Sequence, residues 1–135
     1  MLQRLRQLSA QRQDFAFETT LASRALAATL SKLRQEGGYQ VHLMFFWLDS
    51  PELAVARGAE RVASGGHDVP DEVIRRRYSR GLKNFFALYR NTVDTWRFYD
   101  NSTNGGPRLI ARGGSMFDLH LCDSLLWKRL ETEYD

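Results

Sequence analysis

The stretch VHLMFFWL, residues 41–48, followed by DSPE, residues 49–52, decides the fold. Its first eight residues are almost continuously apolar, which predicts a strand covered on both faces, as in a parallel sheet, rather than one with a wet face. Asp49-Ser50-Pro51-Glu52 then supplies an N-cap, a proline suited to the first helical turn and a carboxylate near the positive end of the helix dipole. A helix is therefore expected to run to Ala63.

Downstream, Pro70-Asp71-Glu72 repeats this start signal, and Ile74, Tyr78, Leu82, Phe85 and Tyr89 follow at steps of three or four. That stripe can pack while the arginines between its members face outward. Arg97–Asp100 and Arg108–Ala111 read as two short strands joined by a polar turn, Asn101–Pro107, and Leu121–Glu133 reads as a closing helix. Upstream, Phe15–Thr19 reads as a strand and Leu21–Glu36 as a helix ended by Gly37. Met1–Gln13 suits a helix with Leu2, Leu5 and Leu8 on one stripe. Strands separated by helices of this length require crossover connections, so the order predicts an α/β fold with a sheet that is at least partly parallel.

A chain of 135 residues, 43% hydrophobic, is expected to form one domain over 1–135. No apolar run approaches the roughly 20 residues a bilayer span needs, and the first helix has no signal-peptide core, so no membrane partner is expected and the location is read as cytoplasmic. A single cysteine, Cys122, excludes an internal disulfide, and its apolar surroundings predict a small buried hydrophobe. The formal charge of +3 is unevenly placed: Asp71–Arg90 holds six basic residues and two acidic ones. Such a cluster points to an anionic partner or to a solvated face. Nucleic acid is disfavoured, because the basic residues are not interleaved with exposed aromatics.

In α/β sheets ligands sit beyond the carboxyl ends of the strands. That rule selects Glu18, Thr19 and Thr20, then Asp49 and Ser50, then Asp100, Asn101 and Ser102. A carboxylate with two hydroxyls could hold a sugar hydroxyl or a magnesium-bound water; equally, Thr20 could cap the next helix and Glu18 be a solvated strand end. Arg57 and Arg61 lie four apart on one helix, a mildly repulsive spacing unless an anion or a carboxylate such as Glu60 sits between them. Arg76, Arg80 and Lys83 share a face flanked by Arg75 and Arg77, either a solvated helix or the guanidinium fork a kinase lid requires. His42 reads as a hydrogen-bonded core histidine. His67 and His120 carry no partner at metal-ligand spacing, so no metal site is expected.

FAFETTLASR at Phe15–Arg24, FFWLDSPELAVAR at Phe45–Arg57, ERVASGGHDVPDEVIRRRYSRGLKNF at Glu60–Phe85 and WRFYDNS at Trp96–Ser102 closely resemble bacterial zeta-toxin-like P-loop kinases. The resemblance covers nearly the whole chain in the right order. It implies a P-loop-kinase-like parallel sheet flanked by helices, use of ATP and Mg²⁺, and phosphorylation of UDP-N-acetylglucosamine or a related nucleotide sugar. By position, Glu18, Thr19 and Thr20 would meet substrate. Arg57, Arg61, Arg75, Arg76, Arg77 and Asn101 would meet the nucleotide, with Arg61 and Arg76 acting in catalysis. An antitoxin or self-association is the implied protein partner.

The sequence also departs from that pattern. Phosphate cradling by a P-loop needs G-x-x-x-x-G-K-[ST], and these 135 residues contain none; Gly81-Leu82-Lys83 lies inside a helix without the required spacing. The family's aspartate base is also missing. The expectation is therefore an N-terminally truncated kinase domain that lacks the P-loop strand between Phe15–Thr19 and Val41–Leu48 and is inactive alone, or else a non-catalytic nucleotide-binding or interaction module.

Overall fold

A computed structural model describes residues 2–135, so Met1, with which the first expected helix opens, lies outside the described residues. The elements are α1 (Leu2–Ala10), α2 (Ala25–Gln35), β1 (His42–Trp47), α3 (Pro51–Ala63), α4 (Asp71–Ala87), a 3₁₀ turn (Tyr89–Asn91), β2 (Thr95–Asp100), β3 (Arg108–Gly113), β4 (His120–Leu121) and α5 (Ser124–Tyr134). The sheet runs in the order β1-β2-β3-β4. β1 and β2 are parallel, joined by the α3–α4 crossover, whereas β2-β3 and β3-β4 are antiparallel. The sheet is therefore mixed rather than parallel throughout, because the β2–β3 link over Asn101–Pro107 is a turn too short to cross over.

The start signal after β1 works as the sequence implies. Ser50 accepts the Leu53 N–H at 3.1 Å and Pro51 takes the first helical position of α3. The helix ends at a glycine pair: Gly65 adopts φ +95° and the Gly66 N–H reaches the Arg61 carbonyl at 2.7 Å, a left-handed stop. The glycine pair before His67 is thus a helix terminus. The expected stripe is inward on α4 and on into the 3₁₀ turn, with Leu82, Phe85 and Tyr89 at most 1% exposed. Phe85 and Phe86 pack on Phe98 of β2 and on Trp127 of α5, and Trp127 stacks on Trp96 with ring centroids 5.0 Å apart. Aromatic rings from α4, α5 and β2 thus dominate one face of the sheet, where apolar burial stabilises by roughly 25 cal/mol per Å².

Four expectations fail. The run from Phe15 to Thr19 is not a strand; residues 13–23 form an irregular segment, and α2 begins at Ala25 instead of Leu21. Phe15 packs on Tyr39 rather than into a sheet, and Leu21 takes a left-handed φ of +57°, which breaks any regular entry into α2. Next, β1 is not covered on both faces. Leu43, Phe45 and Trp47 face the helices, but Met44 and Phe46 remain 52% and 48% exposed, because α3, α4 and α5 leave the other face bare. Finally, Cys122 is exposed, since it follows the short β4 at the rim of the sheet. His42 is likewise exposed, although its Nδ1 sits 2.6 Å from the Thr95 hydroxyl. No described helix is long and apolar enough to cross a membrane.

Candidate functional site

The carboxyl ends of the parallel pair are latched together. The Asn101 N–H donates to the Trp47 carbonyl at 2.8 Å, and the Asp49 N–H donates to the Ser102 hydroxyl at 2.9 Å. Asp100 accepts the Ser102 N–H at 3.0 Å, holding the loop after β2 in a tight Asx turn. From α4, the Tyr78 hydroxyl donates to the Leu48 carbonyl at 2.6 Å, and burial, with smaller contributions from the Tyr134 and Asp49 charges, pushes that phenol up to about 12. β1, β2, α3 and α4 therefore meet at one rigid corner, at the end of the sheet where α/β proteins place ligands.

Arg57 and Arg61 emerge from α3 above this corner and behave differently. Arg57 is half-buried, and its Nη2 donates to the carbonyls of Asn101 and Ser102 at 3.2 and 3.4 Å. It ties α3 to the loop after β2. Arg61, one turn on, is exposed and has no ion pair among the described residues. With Glu60 and Ser64 the two arginines line an open hollow of about 390 Å³. A second hollow of about 260 Å³, lined by Ser31, Arg34, Gln35, Tyr39 and Asp94, is built around an internal ion pair in which Arg34 grips Asp94 at 2.8 and 3.0 Å.

The remaining arginines sit on the outer side of α4. Arg75 pairs with Glu52 at 3.0 Å, which clips the start of α4 to the start of α3. The Glu52 carboxyl is held below its usual range by backbone hydrogen bonding at the helix start and by Arg75. Arg76, Arg77, Arg80 and Lys83 are exposed and make no ion pair among the described residues. Asn101 contributes backbone rather than side chain, through its N–H to Trp47 and its carbonyl to Arg57.

Glu18, Thr19 and Thr20 are exposed, but on a segment docked to α4 instead of at a strand end. The Thr19 hydroxyl accepts the Leu21 N–H at 3.2 Å and the Thr20 hydroxyl accepts the Ala22 N–H at 3.4 Å, so neither caps α2. Behind them, the buried Asn84 donates to the Leu21 carbonyl at 2.7 Å, Tyr89 donates to the Ser23 carbonyl, and Gly81 lets the Thr20 carbonyl lie against α4. The three residues do not line the hollow formed by Arg57 and Arg61.

A family model described as zeta toxin matches residues 1–105. The chain belongs to the zeta toxin family. It is also similar to an uncharacterised protein of Haemophilus influenzae, 33% identical over 64 residues, and the match spans 47% of this chain and 45% of that relative. No solved structure matches. Zeta toxin family members are ATP-using kinases, so nucleotide phosphate and Mg²⁺ are the ligands against which the site is tested.

For this zeta toxin family member, the two ligands fit the described residues unequally. Guanidinium groups at the strand ends suit phosphate oxygens, as planar, forked hydrogen-bond donors. No group of three His, Cys, Asp or Glu side chains is gathered among the described residues, so a magnesium ion would take its donors chiefly from the nucleotide's phosphate oxygens and water, and no step is derived through it. Tyr78, at this corner, and Asn84, behind residues 18–23, hold the site together without having been selected for it from sequence. A side chain that acts through one hydrogen bond to a distant carbonyl leaves no periodic signal.

Proposed function

We propose that the chain binds the phosphates of a nucleotide, as ATP or as a UDP-N-acetylglucosamine-like nucleotide sugar, at the hollow lined by Arg57 and Arg61. It would thereby supply the phosphate-handling side of an ATP-dependent phosphotransferase. The observation that carries this reading is the division of labour between the two arginines. Arg57 is committed to fixing the loop after β2, while Arg61 stands one turn away with its donors uncommitted. An unpaired guanidinium preset at the carboxyl end of a parallel strand pair costs little reorganisation when an anion arrives. Arg76, exposed on α4 beside the Arg75–Glu52 clip, is the proposed lid arginine. Glu18, Thr19 and Thr20 remain the proposed substrate contacts on the segment docked to α4.

Catalysis by these 135 residues alone is not proposed, because they hold no glycine-rich phosphate cradle with its lysine and magnesium-binding hydroxyl. Titration calorimetry with ATP, with UDP-N-acetylglucosamine and with inorganic phosphate tests the reading. Nucleotide binding weakened roughly tenfold or more by Arg61→Ala, the loss expected for a charged hydrogen bond, supports it. Equal binding by wild type and Arg61→Ala refutes the site, and radiolabelled product above a no-protein control refutes the inactivity.

A further inference from the structure

The segment before α2 is held in one conformation. The Thr20 carbonyl lies against Gly81, the Leu21 carbonyl accepts from Asn84 at 2.7 Å, and the Ser23 carbonyl accepts from Tyr89. Residues 20–23 therefore follow α4 and the 3₁₀ turn after it. Leu21, 3% exposed, takes a φ of +57° that residues other than glycine seldom adopt. Backbone of this kind persists only where its surroundings fix it, and it gathers at ligand clamps. What the turn presents is Glu18, Thr19 and Thr20, all exposed. Each threonine hydroxyl accepts a backbone N–H from two residues on, which leaves its own proton to donate. Glu18 makes no ion pair among the described residues, so its carboxylate is free to accept.

The cations of α4 divide around this segment. With about 3.6 residues per turn, Asn84 lies about 60° round the helix from Gly81, and Arg77 and Arg80 lie about 40° and about 100° round on the same side. Helical side chains lean towards the amino end, so both are carried along the flank where the Thr20 turn is docked. Arg76 and Lys83 lie farther round, at about 140° and about 160°. Arg75 is on the opposite side of Gly81 and is paired with Glu52. Arg77 and Arg80, three apart, are neighbours on the helix surface, and neither has an ion pair among the described residues.

We infer that this flank of α4 binds a sugar phosphate, its phosphate held between Arg77 and Arg80 and its hydroxyls held by Glu18, Thr19 and Thr20. The inference rests on the proposed role of residues 18–20 as substrate contacts and adds the class of ligand and the residues that take its charge. Two guanidinium forks suit phosphate oxygens. A carboxylate suits a hydroxyl proton, and threonine O–H groups suit hydroxyl or ring oxygens. An uncharged sugar would leave both arginines without a partner, whereas a polyphosphate lying along the whole flank would set its charge against Glu18. A ligand that is anionic at one end and hydroxylated at the other meets both halves. Arg77, which the family resemblance places at the nucleotide, is thereby assigned to the substrate.

Titration calorimetry of the whole chain with UDP-N-acetylglucosamine, N-acetylglucosamine 1-phosphate, N-acetylglucosamine and ATP is the test, with circular dichroism confirming the fold of each variant. Both phosphorylated sugars are expected to bind, and the unphosphorylated sugar to bind at least tenfold more weakly, the loss expected for charged hydrogen bonds. Arg77→Gln combined with Arg80→Gln should raise the dissociation constants of the phosphorylated sugars at least tenfold and leave that of ATP unchanged. Lys83→Gln, which removes a charge from the outer side of the same helix, should leave the sugars bound as in wild type. Wild type that binds neither phosphorylated sugar, a double variant that binds them as tightly as wild type, or an equal loss with Lys83→Gln overturns the inference. ATP binding that ignores Arg61→Ala while the sugars depend on Arg77 and Arg80 refutes the Arg57–Arg61 hollow and leaves this site standing. Sugar binding that depends on Arg61 and ignores the double variant does the reverse.

Discussion

Replacing Gly81 with alanine sets two effects of opposite sign against each other. Within a helix, alanine is favoured over glycine by about 1 kcal/mol, so α4 taken by itself would be stabilised. The added methyl, however, would overlap the Thr20 carbonyl oxygen, a backbone atom. Thr20 cannot swing aside cheaply, because Leu21 is 3% exposed, its carbonyl holds Asn84 at 2.7 Å, and the Ser23 carbonyl holds Tyr89. Overpacking of this kind costs about 1–3 kcal/mol, and lifting the segment instead would strip Asn84 and Tyr89 of their acceptors at roughly 1–3 kcal/mol each. The steric cost outweighs the propensity gain, and a net loss of about 1–2 kcal/mol is expected. Urea unfolding should show a midpoint lower by about 1 M at an unchanged slope, given slopes of roughly 1–3 kcal/mol/M. Gly58→Ala is the internal control, since its methyl would meet only the Ile74 Cδ1 tip, at 2.8 Å, which can rotate away. A Gly81→Ala chain that is more stable than wild type by about 1 kcal/mol would show that helix propensity decides and that residues 18–23 are not held against α4.

Two further predictions concern pH. Burial alone would raise the Asp94 carboxyl, but the Val41 N–H at 2.7 Å and the Arg34 guanidinium outweigh it and hold the group below its usual range. A depressed folded value stabilises above the unfolded pKa, near 3.9, and is lost as pH falls through the folded one, so wild-type stability should drop below about pH 4, with a flatter acid limb in Asp94→Asn by urea titration. Tyr78 has the opposite sign: its phenol is raised to about 12 by burial, so its contribution is complete below the unfolded value near 10 and is lost as pH rises toward 12. Tyr78→Phe should cost roughly 1 kcal/mol at neutral pH, through the lost bond to the Leu48 carbonyl, and shift the alkaline limb of the denaturation profile upward.

How much was legible depends on how locally each feature is encoded. The cap at Ser50, the proline at the first position of α3 and the α4 stripe are properties of four to seven neighbouring residues, and the structure follows them closely. Phe15–Thr19 has strand-like composition, but a strand needs a neighbour to bond to, and the described residues give that segment none; α4 through Gly81 and Asn84, and the 3₁₀ turn through Tyr89, hold the chain there instead. The candidate site divides the same way. Arg57 and Arg61 share a helix face and so share a hollow, whereas Glu18, Thr19 and Thr20 were linked to them only through an expected strand end that does not form. Long-range bonds such as Tyr78 to Leu48 cross 30 residues of sequence and have no local signature.

The reading of β1 is the most instructive of these, because its premise is sound although the described elements cover only one face of the strand. A continuous apolar run does signal a strand that needs covering on two sides, since leaving apolar surface wet forfeits roughly 25 cal/mol per Å². The structure covers one side with α4 and α5 and leaves Met44 and Phe46 half exposed beside an edge with no charge to defend it. The sequence pattern and the exposure therefore refer to different states of the same strand. Alternation with charged residues at positions 42, 44 and 46 would have suited a permanently wet face; His-Met-Phe at those positions does not. The half-exposed Met44 and Phe46 therefore mark the part of β1 where the apolar pattern of the sequence exceeds the cover that the described elements supply.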